Sequence, residues 1–289
     1  MPRSQATICR RSATSRCALT ATSRRSPAAA SRRALTVIEL LMSIAIMTVI
    51  AGVLAALSDA VYVGTEHSRG VGAATQHSRV ALERISRSVS GAATAENEPG
   101  LVVLETTVGG YGFPDTLVVW RPSSVPANAD GPPLVGELVI FCPDPEDPRR
   151  LLEITLPGDT RPAPFSQLDT AAGRKMIEDI KLSNTSKKVV LTNLLHTASL
   201  SGNATDVRGA VRFVRRVRPS TAGWGDFRNS VVAFGDLAWP QGVYGAQTGL
   251  RQVWLETELQ MDQWANNADR QSPVIPYFGS SALYYELRQ

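Results

Sequence analysis

The chain begins with a polar, arginine-rich segment that changes abruptly into a long apolar run. Residues 35–57 have the sequence LTVIELLMSIAIMTVIAGVLAAL, in which Glu39 is the one charged side chain among 23 residues. About 20 consecutive apolar residues are enough for a helix to cross a bilayer, whereas the apolar core of a signal peptide has about 7 to 15. The pattern therefore predicts a transmembrane helix over residues 35–57.

Beyond residue 57 the chain becomes more polar but keeps a helical period. Apolar and small side chains recur every three or four positions at Val71, Ala74, Ser78, Leu82, Ile85 and Val89. This spacing places them on one face of a helix. Gly91 and the turn-forming residues 97–100 then end the helical pattern. We therefore expect one long helix over residues 35–92, with its first half in a membrane and its outer half packed on a globular head.

The head, residues 93–289, has the pattern of short β-strands separated by turns rich in glycine, proline and aspartate. The clearest strand is predicted over residues 250–261, where Val253, Leu255, Thr257, Leu259 and Met261 share one face. The other predicted strands are residues 101–105, 116–121, 136–142, 151–156, 210–217, 229–234 and 282–287, and a short helix is predicted over 174–182. The expected fold class is α+β, a long amino-terminal helix packed on an antiparallel β-sheet head.

Charge divides the chain at the start of the apolar run. Residues 1–34 contain eight arginines and no acidic residue, while the whole chain carries +4, so the part that begins at Leu35 carries −4. Overall basicity is therefore no argument for nucleic-acid binding. Basic residues before a membrane helix stay in the cytoplasm, so we expect a basic leader over residues 1–34 and an exported head. An arginine- and serine-rich, acid-free segment also fits an organelle transit peptide, but that alternative does not predict Glu39.

The junction between leader and apolar run has a specific motif. Arg32 and Arg33 precede the small residue Ala34, and Leu-Thr-Val-Ile-Glu-Leu-Leu follows. This order resembles type IV prepilins and type II secretion pseudopilins, and the likeness covers roughly residues 32–92. The resemblance implies a pilin-like fold, cleavage between Ala34 and Leu35 by a prepilin peptidase, and N-methylation of Leu35. The family usually has glycine before the cut and often phenylalanine after it, so Ala34 and Leu35 depart from the pattern.

The same resemblance implies a role for two polar residues near the new amino terminus. Glu39 is expected to neutralise the terminal amine of a neighbouring subunit during filament assembly, and Thr36 occupies the usual polar position between them. An intramembrane carboxylate without a partner costs a few kcal/mol, which is the physical reason for such a pairing. The partners expected are therefore the peptidase, other pilin or pseudopilin subunits and the bacterial inner membrane.

The function expected from this resemblance is structural, not enzymatic. The chain is expected to be a minor pilin-like subunit of a type II secretion pseudopilus, anchored in the inner membrane by one helix, with a periplasmic head. The size of the head favours the J-type minor pseudopilin, which in that family sits at the filament tip. Two alternatives remain open: a minor pilin of a type IV pilus, and a signal-anchored periplasmic binding protein or enzyme in which Glu39 is incidental.

Candidate chemistry in the head is limited to one acidic loop. Asp144, Glu146 and Asp147 lie between prolines and could bind calcium through carboxylate oxygens, although the EF-hand spacing is absent. No other cofactor is indicated, because the sequence has no nucleophile elbow, phosphate loop or dinucleotide fingerprint. We expect Cys142 to be a buried small hydrophobe beside Phe141. His67 and His77 lie on the polar part of the long helix and are expected to face solvent.

Overall fold

The computed structural model describes residues 36–95, 98–108, 110–128, 131–199, 207–237, 250–263 and 274–286. The chain divides into two compact units, one ending at Ser58 and one beginning at Asp59. Helix α1, Val37–Ser90, has 54 residues. It contains no proline, and its glycines do not interrupt it. The long helix predicted over residues 35–92 is thus confirmed within a few residues at each end, and the predicted leader lies outside the described residues.

Ten strands and three further α-helices follow α1 in the described parts of the chain. The strands are β1 Leu101–Val108, β2 Tyr111–Trp120, β3 Leu138–Pro143, β4 Leu151–Thr155, β5 Lys187–Thr192, β6 Thr197–Ser199, β7 Val207–Gly209, β8 Val211–Arg218, β9 Leu250–Met261 and β10 Ile275–Glu286. The helices are α2 Phe165–Leu168, α3 Ala171–Leu182 and α4 Thr221–Arg228, and two 3-10 turns are Val135–Glu137 and Phe234–Asp236.

The strands form two main antiparallel sheets and a small one. Strands β1 to β5 pair in chain order as an antiparallel meander; the first four correspond to predicted strands, and β5 is an addition that the sequence did not predict. Strands β10, β9 and β8 form a separate sheet in that order, and β6 pairs with β7. The architecture is α+β and pilin-like, because the outer part of the apolar amino-terminal helix packs on antiparallel sheets.

One hydrophobic core joins the outer part of α1 to both main sheets. Small and aliphatic residues on one face of α1 contact one face of the five-stranded sheet and one face of the three-stranded sheet. The buried members include Ala74, Ala81, Ile85 and Val89 of α1, Leu117, Val119, Phe141 and Leu151 of the first sheet, and Phe213, Val253, Leu255 and Leu259 of the second. The alternation predicted for residues 250–261 is confirmed, since all five inward positions are buried.

A second core lies on the opposite face of the five-stranded sheet. Helices α2 and α3 cover this face with Phe165, Leu168, Ile177 and Ile180. The sheet contributes Trp120, Ile140, Cys142 and Ile154, among others. Because successive residues of a strand point to opposite faces, Phe141 and Cys142 belong to different cores although they are neighbours in sequence. Strands β3 and β4 in the middle of the five-stranded sheet are therefore buried on both faces, whereas most of β5 is exposed.

An ion pair also joins α1 to the five-stranded sheet. Arg84 donates from Nε to Glu153 Oε2 at 2.6 Å and from Nη2 to Glu153 Oε1 at 2.7 Å. Glu153, in β4, is only 5% exposed. The hydrogen bond to Glu153 raises the pKa of the Arg84 guanidinium above its ordinary value. This two-point geometry fixes the position of the helix along the sheet as well as its distance from it.

One predicted strand is wrong. Residues 229–234 were expected to pair in a sheet, but Asn229 and Ser230 follow the end of α4, and Ser230 has a φ of 57°. The Ser220 side chain accepts a hydrogen bond from the Gly223 N–H at 3.0 Å, which starts α4 just before this segment. Trp224 of α4 is buried, so the packing of α4 leaves the short valine pair at 231 and 232 in a bend, not in a strand.

Candidate functional site

The amino-terminal end of α1 is built by reciprocal hydrogen bonds between Thr36 and Glu39. The Thr36 backbone N–H donates to Glu39 Oε2 at 2.9 Å, and the Thr36 hydroxyl donates to the same oxygen at 3.1 Å. In return, the Glu39 backbone N–H donates to Thr36 Oγ1 at 3.4 Å. This is a capping box, which satisfies backbone donors that the first turn of a helix leaves without partners. Glu39 is therefore held at the end of the helix where the macrodipole favours negative charge.

Only one of the two Glu39 carboxylate oxygens takes part in this cap. Oε2 accepts both donors from Thr36, and Oε1 has no partner in the part of the chain that the structure describes. The side chain is exposed. An ionised carboxylate accepts hydrogen bonds at both oxygens, and those from cationic donors are the strongest. Glu39 can thus cap its own helix and bind an external cation at the same time.

The surface that follows Glu39 along α1 is apolar on every side. An 18-residue window of the helix has a mean hydropathy of 2.6, and none of that window is buried against the rest of the described chain. The hydroxyls within it bond to the helix itself, Ser43 to the Glu39 carbonyl at 2.7 Å and Thr48 to the Ala45 carbonyl at 2.8 Å. Helix α1 is therefore long and apolar enough to cross a membrane, with its polar groups satisfied internally.

The structure brings together two of the four residues expected at this site. Thr36 and Glu39 are hydrogen-bonded, whereas Ala34 and Leu35, the expected cleavage position, lie outside the described residues. The sequence did not lead us to predict that Thr36 caps the helix. The pattern that could have predicted this cap is a threonine three residues before a glutamate at the start of an apolar run.

The acidic loop between β3 and β4 uses its carboxylates within the loop. Asp144 Oδ1 accepts the Glu146 N–H at 3.0 Å, and Asp147 Oδ1 accepts the Arg149 N–H at 3.3 Å. Arg150 Nε lies 3.0 Å from Asp147 Oδ2. Among the described residues, no group of three or more acidic, histidine or cysteine side chains is arranged to hold a metal ion. The calcium hypothesis for Asp144, Glu146 and Asp147 therefore has no geometric support, because two of the three carboxylates already bind loop donors.

Cys142, His77 and His196 make contacts within the fold, and His67 is exposed. Cys142 is fully buried, and burial raises the pKa of its thiol to about 12, so it is protonated at neutral pH and a poor nucleophile. His77 was expected to face solvent, but it is half-buried, and its Nδ1 lies 3.3 Å from the Thr192 hydroxyl of β5. His67 is exposed, as expected. His196 Nδ1 lies 2.8 Å from Asp262 Oδ1. Backbone hydrogen bonds also join the two segments that contain these residues.

No protein-family model, curated protein or solved structure matches the chain.

Proposed function

We propose that the chain is a structural minor pilin-like subunit of a type II secretion pseudopilus. A prepilin peptidase would cut between Ala34 and Leu35 and methylate the amine of Leu35. The subunit would then be assembled into a periplasmic filament or its tip. The observation that carries the proposal is that Oε1 of Glu39 has no partner in the described chain, at the start of a helix whose apolar first part is fully exposed.

The geometry supports a specific docking step. While the subunit stays in the membrane, the Glu39 carboxylate has hydrogen bonds from Thr36 but no counter-charge in the described chain. Leaving such a charge unpaired in lipid costs on the order of 3 kcal/mol. The methylated amine of a neighbouring subunit binding at Oε1 would remove most of this cost. The amine of a neighbouring subunit can reach Oε1 only when two α1 helices pack side by side, so this pairing favours assembly over the free subunit.

The remaining parts of the proposal concern location and filament position. The arginine-rich leader would keep the amino terminus in the cytoplasm, so that a single-pass anchor holds the head in the periplasm. The large head, residues 93–289, favours the J-type position at the tip. No step of this function requires catalysis, and the buried, protonated Cys142 thiol agrees with a structural role.

Processing is tested by mass spectrometry of the mature amino terminus. In cells that contain a prepilin peptidase, we expect a chain beginning with N-methyl-Leu35, and in cells lacking the enzyme we expect the leader to remain. A signal-anchored binding protein or enzyme would show the same amino terminus in both strains. That result would refute the proposed processing.

The role of the Glu39 charge is tested by separating it from helix capping. Glu39→Gln keeps a side chain that can complete the capping box but removes the charge. We expect this variant to enter filaments at least about tenfold less than the native chain, which corresponds to about 1.4 kcal/mol. Ser43→Ala, one turn further along α1, is the matched control and should assemble normally. Normal assembly of Glu39→Gln would show that Glu39 serves only as a cap.

A further inference from the structure

A pocket with a charged interior lies in the head between β1, β2, α3, β7 and the acidic loop that follows β3. Its volume of about 330 Å³ is within the range of small-molecule sites. Two charged side chains that line it, Asp115 and Lys181, are each only 5% exposed. Charged side chains are almost never buried to this extent unless they are paired. The partners of these two groups therefore show what else the pocket can bind.

The Lys181 ammonium has two partners and a third N–H that is available. Its Nζ donates to the Thr116 hydroxyl at 2.9 Å and to Glu178 Oε1 at 2.6 Å. A lysine ammonium has three donors. No third acceptor for Lys181 lies within hydrogen-bond distance among the residues that the structure describes. One N–H of a nearly buried cation is thus left for a ligand in the pocket.

The Asp115 carboxylate likewise has one oxygen bonded and one available. Oδ1 accepts hydrogen bonds from the Thr106 hydroxyl at 2.7 Å and from the Thr116 hydroxyl at 3.0 Å. Oδ2 accepts none in the described chain, and Arg208 Nη1 lies 4.0 Å from it, which is too far for a hydrogen bond. A buried carboxylate oxygen without a donor is costly. The guanidinium of Arg208 has no hydrogen-bond acceptor in the described residues either, so an available acceptor and available donors lie side by side.

Charges of both signs line the pocket. The lining contains three carboxylates and two cations, namely Asp115, Asp144, Glu178, Lys181 and Arg208. Glu178 is paired with Lys181, and Asp144 Oδ2 lies 4.0 Å from Arg150 Nη1. The lining therefore does not select a ligand of one sign, whether a simple anion or a simple cation. It favours a ligand that carries a positive and a negative group close together, because such a ligand complements Asp115 and Arg208 at once.

We propose that this pocket binds a free α-amino acid. The ammonium and carboxylate of an α-amino acid are attached to neighbouring carbon atoms, so they can contact the adjacent Asp115 and Arg208 together. The ammonium donates to Asp115 Oδ2, and the carboxylate accepts from Arg208 and from the available N–H of Lys181. An apolar wall favours an uncharged side chain on the ligand, and it consists of Pro143, Pro145, Pro148, Leu182 and Val207. The proposal goes beyond the filament function, because no residue of α1 lines the pocket.

Equilibrium dialysis of the full chain in detergent tests this proposal. The probe is an equimolar mixture of the standard L-amino acids, quantified on both sides of the membrane by mass spectrometry, with protein-free micelles as the blank. We expect at least one amino acid with an uncharged side chain to be retained, at no more than one molecule per chain. Its N-acetyl derivative lacks the ammonium and its amide lacks the carboxylate, so each should bind at least about tenfold more weakly.

Two variants connect this binding to the pair of charges in the pocket. Asp115→Asn and Arg208→Gln should each lower the affinity for the retained amino acid at least about tenfold. Asp169→Asn is the matched control, because it removes a carboxylate that is paired with Arg174 and does not line the pocket. It should bind the amino acid as the native chain does.

Resistance of the head to protease shows whether each variant is folded. If Asp115→Asn does not fold, Arg208→Gln decides the test, because Arg208 is only partly buried and its loss disturbs the fold less. The proposal is overturned if the native chain retains no amino acid, which would mean that water alone fills the pocket. It is also overturned if the N-acetyl or amide derivative binds as tightly as the free amino acid, or if a folded Asp115→Asn or Arg208→Gln variant binds as the native chain does.

Discussion

The two halves of α1 belong to one helix but differ in what surrounds them. Residues 36–65 are all exposed, and aliphatic side chains cover every side of that part of the helix. Further along, one narrow stripe is buried and the opposite side is polar. The stripe consists of Gly70, Ala74, Ser78, Ala81, Ile85, Ser88 and Val89. An α-helix apolar all round needs an apolar environment, whereas an amphipathic helix obtains its stability from the core that it joins.

This difference assigns different tasks to the two halves. The small residues of the stripe let α1 approach the sheets closely, so the outer half is part of the structure of the head. The first half contributes nothing to the hydrophobic cores, and its charged residues are Glu39 in the first turn and Asp59 near its outer end. Substitutions in the outer half should therefore change the stability of the head, and substitutions in the first half should change anchoring or assembly.

The largest effect is expected from removing a core side chain of the outer half. Ile85 is 1% exposed, so Ile85→Ala should lower the free energy of unfolding of the head by about 2 to 5 kcal/mol through lost burial and the cavity left behind. Ile50→Ala in the first half removes the same atoms and should leave that free energy unchanged. Urea unfolding of both variants in detergent, followed by tryptophan fluorescence, measures the difference. Equal effects would contradict the division between the halves.

The next effect concerns the ion pair between α1 and β4. Arg84→Ala leaves the buried Glu153 carboxylate without its partner and should destabilise the head by about 2 kcal/mol, less than for a fully buried pair because Arg84 is partly exposed. Arg79→Ala, in the same helix, removes an arginine without an ion pair in the described chain and should cost less than about 0.5 kcal/mol. The same urea titration compares them.

A smaller effect is expected at the capped end of the helix. Thr36→Ala removes the hydroxyl that exchanges hydrogen bonds with Glu39 and should destabilise the first turn by about 1 kcal/mol. Hydrogen exchange at the amides of Ile38 and Glu39 should become about fivefold faster, while exchange in the head stays the same. Thr36→Ser, which keeps the hydroxyl, is the control. A change in head stability would mean that the two halves are coupled.

The smallest effect is a pH dependence in the head. Glu98 Oε2 accepts the Phe165 N–H at 2.9 Å, and burial raises the pKa of Glu98 above its ordinary value of 4.5. The folded state then holds this proton more tightly than the unfolded state, so the group favours folding at low pH. Stability should fall as the pH rises from about 4.5 through the raised pKa. Glu98→Gln should remove this dependence in thermal unfolding measured between about pH 4 and pH 8, whereas Glu105→Gln should not.

Strong local patterns made much of this fold predictable. The apolar run from Leu35 predicts the first half of α1 by its length, and the three-or-four-residue spacing up to Val89 predicts the outer half by its period. The alternation in β9 predicts its buried face for the same reason. The capping box is also predictable from the sequence Thr-x-x-Glu, because it depends on residues only three positions apart. The proposed processing at Ala34 and Leu35 stays a prediction.

Other features depended on contacts between distant parts of the chain. The pairing of β8 to β10 in a sheet separate from the meander, the burial of His77 against Thr192 and the bend at residues 229–234 each depend on partners far away in sequence. The amino-acid order by itself determined a long helix, its apolar first half and the strands with clear alternation, because these arise from neighbouring residues. Only the tertiary structure decided which face of α1 is buried against which sheet and which strands lie at the sheet edges, because packing selects among faces that local propensity leaves equivalent.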